Sequence, residues 1–222
     1  YFQVPANWSL GHIPVATENV LLDGSFVTFT TTGTQTIKSV SLENTSTLII
    51  YDQADLTLIA PSMIQQGSLL SVQFTGVLAI DGSLPGTNFL TNNGNFSWTG
   101  GTVTDGNGLD APTSKFVNYG TLDAWINGTP NLVLDVLLEN HGNFSLSSGT
   151  PGRALISTSP GSGFIDNYGF IYIDENPTIA VDIYNHSGAF IDIASTSTTT
   201  TLSIFTGTLT NDGTLNVIAS QY

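Results

Sequence analysis

The chain has 222 residues and carries 17 acidic against 3 basic side chains, which gives a formal net charge of −14 at pH 7. This balance excludes nucleic acid as a partner, because neutralising phosphates requires clustered cations. The chain contains no cysteine, which excludes disulfides and thiol chemistry, and it has no apolar run long enough for a membrane-spanning helix.

The remaining composition predicts an all-β protein. Hydrophobic residues make up 40% of the chain and charged residues only 9%, which is not typical of a charge-driven disordered segment. Ser and Thr contribute 22 and 31 residues, and Gly a further 23. Residues that favour helices are few, and no segment shows an apolar stripe of helical period.

The first predicted element is an N-terminal capping segment, residues 1–19. Trp8 is expected to cover the first coil of the fold described next, because an open coil exposes a strand edge that invites pairing. Tyr1-Phe2-Gln3 is either native sequence or the remainder of a protease-site tag, so no function is assigned to it.

A repeat of the form apolar-x-Asn-x-Gly-x-apolar begins near Val20 and recurs about every 24 residues. Its clearest copies are residues 90–96, 116–122, 138–144, 165–171 and 209–215. The second apolar position is predicted to form a column of inward side chains: Phe26, Leu48, Leu69, Phe96, Leu122, Phe144, Ile171, Phe190 and Leu215.

This period predicts a single right-handed parallel β-helix, or β-solenoid, of about nine coils over residues 20–222. Each coil returns the chain to the same azimuth one strand spacing, about 4.8 Å, further along the axis. We expect the solenoid to continue into more chain or to stack on another subunit, which would allow filaments. The alternative is a β-sandwich, whose hairpin turns would recur roughly every 8–12 residues.

Asparagines recur within the repeat and are predicted to form a structural ladder at one turn. Asn tolerates the left-handed backbone region, and stacked amides can hydrogen-bond from coil to coil. The neighbouring glycine would allow the turn conformation without steric cost. The predicted ladder consists of Asn44, Asn92, Asn118, Asn140, Asn167 and Asn211, with Asn185 shifted by an inserted residue.

One segment between repeats is a candidate calcium loop. Asp105, Asn107 and Asp110 offer oxygen donors at spacings that resemble the start of an EF-hand loop. An EF-hand would place an acidic residue where this chain has Phe116, and such Gly-rich segments also form plain turns. No cofactor other than calcium is expected.

The residue before the repeat glycine is a ring-bearing one in four consecutive repeats, namely Tyr119, His141, Tyr168 and His186. A solenoid would place these rings in a row about 4.8 Å apart. Such a row either covers the turn as a structural feature or offers aromatic surface to a sugar, so these four residues are a candidate carbohydrate-binding site.

Three Asn-x-Ser/Thr sequons are candidate glycosylation sites: Asn95, Asn127 and Asn143. Asn95 and Asn143 each precede an inward phenylalanine and should therefore face solvent. The sequons at Asn44 and Asn185 belong to the predicted ladder and are poorer acceptors.

Catalysis is a possible function of this fold, because polysaccharide lyases and hydrolases also use the parallel β-helix. A lyase requires a base and a cation to stabilise developing charge, but Lys38, Lys115 and Arg153 lie in distant coils. A hydrolase requires two nearby carboxylates, whereas Asp23 and Asp212, which share a column, are eight coils apart. The sequence therefore predicts no enzyme, and a lyase or hydrolase is kept as a lesser alternative.

The opening of the chain resembles secreted β-helix passenger regions. Residues 6–14 read Asn-Trp-x-x-Gly-x-x-Pro after an alanine, and residues 18–22 form a Glu-x-Val-x-apolar first strand. The repeats are similar to those of autotransporter-passenger and haemagglutinin-like surface proteins. The resemblance implies an extracellular, cell-surface structural or adhesive module whose partners are glycans or other surface proteins.

Overall fold

The structure is a computed structural model that describes residues 1–30, 32–81, 89–105, 114–126, 131–149, 154–158, 163–174, 177–195 and 204–219. Within these ranges the chain is all-β, with one short 3₁₀ helix at Pro5–Asn7 and strands that form three parallel sheets. In the same ranges, no helix is long and apolar enough to cross a lipid bilayer.

The strands of each sheet follow one another along the solenoid axis. Sheet A consists of β1 (Asn19–Asp23), β4 (Ser39–Glu43), β7 (Ser62–Ile64), β10 (Phe89–Asn92), β13 (Lys115–Asn118), β16 (Leu137–Asn140), β19 (Phe164–Asn167), β22 (Asp182–Asn185) and β25 (Leu209–Asn211). Sheet B consists of β2 (Phe26–Phe29), β5 (Thr47–Ile50), β8 (Leu69–Val72), β11 (Asn95–Trp98), β14 (Thr121–Ile126), β17 (Asn143–Ser148), β20 (Phe170–Asp174), β23 (Phe190–Ser195) and β26 (Thr214–Ala219). Sheet C consists of β3 (Gly33–Ile37), β6 (Ala54–Leu58), β9 (Val77–Ile80), β12 (Thr102–Thr104), β15 (Leu132–Asp135), β18 (Ala154–Ile156), β21 (Thr178–Ile179) and β24 (Ile204–Phe205).

The chain visits sheets A, B and C in turn, and each strand pairs in parallel with the strand three elements later. The predicted parallel β-solenoid is thereby confirmed, and the β-sandwich alternative is wrong, because sandwich strands pair antiparallel. The described strands make eight three-strand coils followed by two strands of a ninth, slightly fewer complete coils than predicted.

The core lies between the three sheets and is filled by alternate side chains of every strand. In β17, Phe144 and Leu146 are buried at 1% exposure, whereas Asn143 faces solvent. Neighbouring coils repeat this pattern, so that Phe144 stacks between Leu122 and Ile171. Parallel register therefore turns the sequence repeat into continuous apolar columns along the axis.

The predicted inward column is wrong at three positions: Phe26, Leu69 and Phe190. Phe190 pairs with the outward Phe170 and is 46% exposed, while the next residue, Ile191, occupies the inward column. The corner before Phe190 is two residues longer than the standard one, since Ile191 stands six positions after Asn185, whereas Ile171 stands four positions after Asn167. A register taken from the glycine therefore selects the wrong face of the strand.

Six asparagines form one continuous amide ladder at the end of the sheet A strands. Each side-chain Nδ2 donates to the Oδ1 of the next asparagine at 2.7–2.8 Å. The first five are completely buried. The members are Asn92, Asn118, Asn140, Asn167, Asn185 and Asn211. The second Nδ2 hydrogen reaches a backbone carbonyl of the next coil, so the ladder joins coils through both side chain and main chain.

Asn44 lies outside this ladder. Leu42, two residues earlier, pairs with Ile64, which pairs in turn with Asn92, so aliphatic side chains fill the ladder position in the first coils. Asn44 sits instead in a corner with φ of 49°, and its Nδ2 donates to Asp23 Oδ1 at 2.6 Å. The left-handed conformation expected for asparagine thus occurs at Asn44, whereas the described ladder asparagines have no positive φ.

The repeat glycines are required by close packing between coils. A Cβ on Gly142 would lie 2.2 Å from the carbonyl oxygen of Gly120, and one on Gly169 would lie 2.4 Å from that of Gly142. Neither glycine has a positive φ, so backbone freedom is not what selects glycine there. Successive corners approach so closely that no side chain fits between them.

The N-terminal segment packs against the first coil. Phe2 is fully buried against Phe29, and its backbone N–H donates to the Thr28 carbonyl at 2.9 Å, which adds one bond to the edge of β2. The Trp8 ring meets Phe2 edge-on at 4.9 Å, and its Nε1–H donates to the Phe2 carbonyl.

Candidate functional site

The corner between sheets A and B positions the candidate site. In the short corner, the ladder asparagine turns its amide inward and the glycine packs against the corner of the preceding coil, so the residue between them points outward. This residue is Tyr119, His141 or Tyr168 in three successive coils, and His186 occupies the equivalent place in the longer corner of the following coil. Parallel register then brings the four side chains together.

The four side chains form a continuous row of stacked rings, which we call the ring row: Tyr119, His141, Tyr168 and His186. The centroid distances are 4.9 Å, 4.9 Å and 3.9 Å along the row, and the interplanar angles are 16° or less. Tyr184 packs edge-on against His186 at the far end. Because neighbouring rings cover one another's faces, the row offers mainly ring edges and tyrosine hydroxyls to a ligand, with Tyr119 and Tyr168 55% and 44% exposed.

Carboxylates of sheet A hold the histidines of the row. His141 Nε2 lies 2.7 Å from Glu139 Oε1, and His186 Nε2 lies 2.9 Å from Asp166 Oδ1. The ionised carboxylates can only accept hydrogen bonds, so each histidine presents an Nε2–H to its partner. Sequence reasoning missed Glu139 and Asp166, although a residue two positions before a ring lies on the same face of the strand.

Lys115 completes a small charged group beside the row. Its Nζ lies 2.9 Å from Glu139 Oε2, so Glu139 bridges a lysine and a histidine. The hydrogen bonds from His141 and then Lys115 hold the pKa of Glu139 below its ordinary value, although burial opposes them. The same carboxylate raises the pKa of Lys115. Desolvation raises the pKa of Tyr168, and the nearby carboxylates Asp166 and Glu139 add to this effect.

Two surface grooves flank the ring row. The first, which we call the lysine groove, lies on sheet A and is lined by Phe89, Val117, Tyr119 and the Lys115–Glu139 pair. The second, which we call the glycine groove, follows the corner itself. It has the edges of His141 and Tyr168 on one side, Phe170 and Phe190 on the other, and the corner glycines between them. The row is therefore a ridge with apolar surface on both sides.

The remaining predicted site residues lie elsewhere. Asp105 is described and is only 3% exposed, whereas the other two predicted calcium ligands, Asn107 and Asp110, lie outside the described residues. Within the described ranges, no three His, Asp or Glu side chains are grouped to hold a metal ion. Asn95 and Asn143 face solvent on β11 and β17, and Asn143 also borders the glycine groove. The third sequon, Asn127, lies outside the described residues.

Comparisons of the chain with known protein families, with curated proteins and with solved structures found no match.

Proposed function

We propose that the chain is a rigid structural and adhesive module of an extracellular, cell-surface protein. The observation that carries this proposal is the continuity of the coils: sheets A and B each run unbroken through nine parallel strands. Nine strands at about 4.8 Å give a rod of roughly 40 Å. The buried ladder adds a second line of coil-to-coil hydrogen bonds inside the sheets. A rod of this kind can hold a binding surface away from a cell.

The chemistry of the surface supports the extracellular setting. The chain has no thiol to oxidise, and it carries few cations for nucleic acid or for an anionic membrane surface. The opening of the chain, from Ala6 to Pro14, resembles that of secreted β-helix passengers. Asn95 and Asn143 are exposed sequon asparagines and are proposed glycosylation sites in a host that glycosylates asparagine.

Adhesion of coated microspheres tests this proposal. Microspheres bearing the folded chain should be retained on surfaces coated with polysaccharide or cell-surface protein, and microspheres bearing heat-unfolded chain should not. The same polysaccharides are incubated with the chain and analysed for released product. Retention without product supports the module. Product release, or equal retention by folded and unfolded chain, would overturn it.

Carbohydrate binding at the ring row is the second candidate function. The specific observation in its favour is a ridge of Tyr and His edges flanked by two grooves that each combine phenylalanine with polar side chains, since sugars combine apolar C–H faces with hydroxyls that need partners. A glycan array tests it: Tyr119→Ala or Tyr168→Ala should weaken every glycan signal. An array without signal, or one that both variants leave unchanged, would refute this function.

A further inference from the structure

We propose that the glycine groove binds a neutral linear glycan that lies along the solenoid axis, with about one sugar ring per coil. This inference rests on the carbohydrate-binding function proposed above and names its ligand class and location.

The walls of the groove supply apolar surface on both sides. Phe170 and Phe190 are partners in adjacent strands of sheet B and project outward side by side, with Phe190 46% exposed. His141 and Tyr168 form the opposite wall with the edges of their stacked rings. Two outward phenylalanines on neighbouring strands have no role in the core, which is filled by the alternate residues Ile171 and Ile191. Apolar rings beside polar ring edges suit a ligand that has both C–H and hydroxyl groups.

The floor of the groove is bare main chain. Gly142, Gly169 and Gly188 lie along it in three successive coils, so no side chain separates a ligand from the backbone. A Cβ at Gly188 would meet nothing within 4 Å, which shows that the corner there is open to solvent. Gly142 and Gly169 pack against the preceding corners, and Gly188 leaves its corner open, so a ligand can approach the main chain directly. A flat sugar ring can therefore lie between the two walls in contact with the corner.

The charges near the groove favour a neutral glycan over an anionic one. None of the groove residues is a lysine or arginine. The nearest charged groups on the other side of the row are Glu139 and Asp166, and Lys115 is already paired with Glu139. A uronate polymer in this groove would be repelled by a chain with a net charge of −14 and would find no lysine or arginine among the groove residues.

The spacing of the coils favours a polysaccharide over a peptide. Equivalent groups recur along the groove about every 4.8 Å. An extended peptide presents side chains to the same face only every second residue, about 6.6–6.8 Å apart, and falls out of step within two coils. Successive rings of an extended polysaccharide advance by nearly one coil spacing. Even where alternate rings are turned over, as in a β-1,4-linked chain, each ring presents C–H groups and hydroxyls to the wall and floor of its own coil.

Calorimetric titration with neutral oligosaccharides of defined length tests this inference. Cello- and manno-oligosaccharides of two to six sugars are titrated into chain produced without N-glycosylation, because a glycan on Asn143 would occupy the groove edge. Affinity should rise up to three or four sugars, the length spanned by three coils, and then level off. Oligogalacturonate of the same length should bind at least about tenfold more weakly, because it adds one negative charge per sugar.

Phe190→Ala locates the site, and Phe26→Ala is its matched control. The two phenylalanines occupy the same outward column of sheet B at opposite ends of the solenoid, and both are largely exposed. Phe190→Ala should weaken neutral-glycan binding by about five- to tenfold, the range expected for the loss of one aromatic contact. Phe26→Ala should leave binding unchanged, and circular dichroism should show both variants folded.

The outcomes separate this inference from the broader function. If glycans bind, and their binding is weakened by Tyr119→Ala but not by Phe190→Ala, the ligand lies in the lysine groove. This result overturns the inference about the glycine groove, while carbohydrate binding by the chain stands. A preference for oligogalacturonate, or an affinity independent of length, also overturns it. If no neutral or anionic glycan binds the unmodified chain, both proposals fail.

Discussion

Replacement of Asn140 by aspartate is a sharp test of the buried ladder. Asn140 accepts a bond from Asn118 at 2.8 Å and donates from Nδ2 to Asn167 Oδ1 at 2.7 Å and to the Phe170 carbonyl at 3.2 Å. Asn140→Asp keeps the shape of the side chain and its Oδ1 acceptor but replaces the Nδ2 donor with a second oxygen. This oxygen would face Asn167 Oδ1 and the Phe170 carbonyl, which are both acceptors. A buried carboxylate whose second oxygen has no donor is costlier than a truncated side chain.

The expected magnitude follows from the groups that lose partners. Asn140→Ala removes the bonds to Asn118, Asn167 and the Phe170 carbonyl and should lower the free energy of unfolding by about 2–4 kcal/mol. Asn140→Asp should lower it further at pH 7, because the ionised group is both buried and opposed by oxygens. Asn93→Asp, at an exposed position one residue after a ladder asparagine, is the matched control and should change stability by less than about 0.5 kcal/mol.

The pH dependence gives the decisive measurement. The carboxyl introduced at position 140 should have a folded-state pKa raised above its unfolded value of about 3.9, so the folded state binds its proton more tightly. The loss of unfolding free energy in Asn140→Asp relative to wild type should therefore shrink as pH falls from 7 to 4, because the protonated carboxyl can donate to Asn167. Urea unfolding of wild type and variant at both pH values measures this. A deficit that stays constant with pH, or no larger than that of Asn93→Asp, would refute the ladder argument.

Three further predictions concern the corner, the charged group and the N-terminal segment. Gly142→Ala should destabilise the chain by about 1–3 kcal/mol in urea unfolding, because its Cβ would meet the Gly120 carbonyl, and an unchanged midpoint would contradict close corner packing. Glu139→Gln should cost at most about 1 kcal/mol at pH 7. Because the pKa of Glu139 is held below its ordinary value, this difference should disappear as pH falls through that lowered pKa, and a difference that grew in acid would contradict the assignment. Phe2→Ala should release the N-terminal segment, so that hydrogen exchange at the backbone amide of residue 2 accelerates and Trp8 fluorescence shifts to longer wavelength, while the unfolding midpoint of the remaining coils moves little.

The repeat determined which parts of the fold could be predicted from sequence. Where the corner is short, as between Asn167 and Ile171, the asparagine, glycine and apolar positions stand at fixed separations and give the correct inward face. Where the corner is two residues longer, as before Ile191, the residue two positions after the glycine is no longer the inward one. The repeat therefore predicts the wrong face of the strand for Phe190. The alternation of inward and outward residues along a strand does not reveal such an insertion. Two extra residues in the corner change which residues pair between strands, but they leave the alternation itself unchanged.

The two types of corner also explain why the amide ladder begins at Asn92. In the early coils, Ser46 and Ser68 are fully buried in the long corner, and each hydroxyl oxygen accepts a backbone N–H from the coil before, Ser25 and Ser46 respectively. The long corner thus satisfies its main chain with serine hydroxyls, and the ladder position is free to take Leu42 or Ile64. From Asn92 onward the corners lack these serines, since even the long corner before Ile191 has Ala189 in the equivalent place, and the asparagine amide takes over the bonds.

On a solenoid, the side chains that coil-to-coil stacking does not explain are the candidates for function. Residues that recur in most coils, such as the ladder asparagines and the corner glycines, are accounted for by hydrogen bonding and packing between coils. The ring row spans only four coils, and the outward pair of phenylalanines and Lys115 each occur at a single place in the solenoid. These departures cluster at one corner and are not needed to fill the core. A fold that dictates most of its positions by stacking leaves only the side chains that break the repeat free for another role, and here these surround the glycine and lysine grooves, where we propose that a ligand binds.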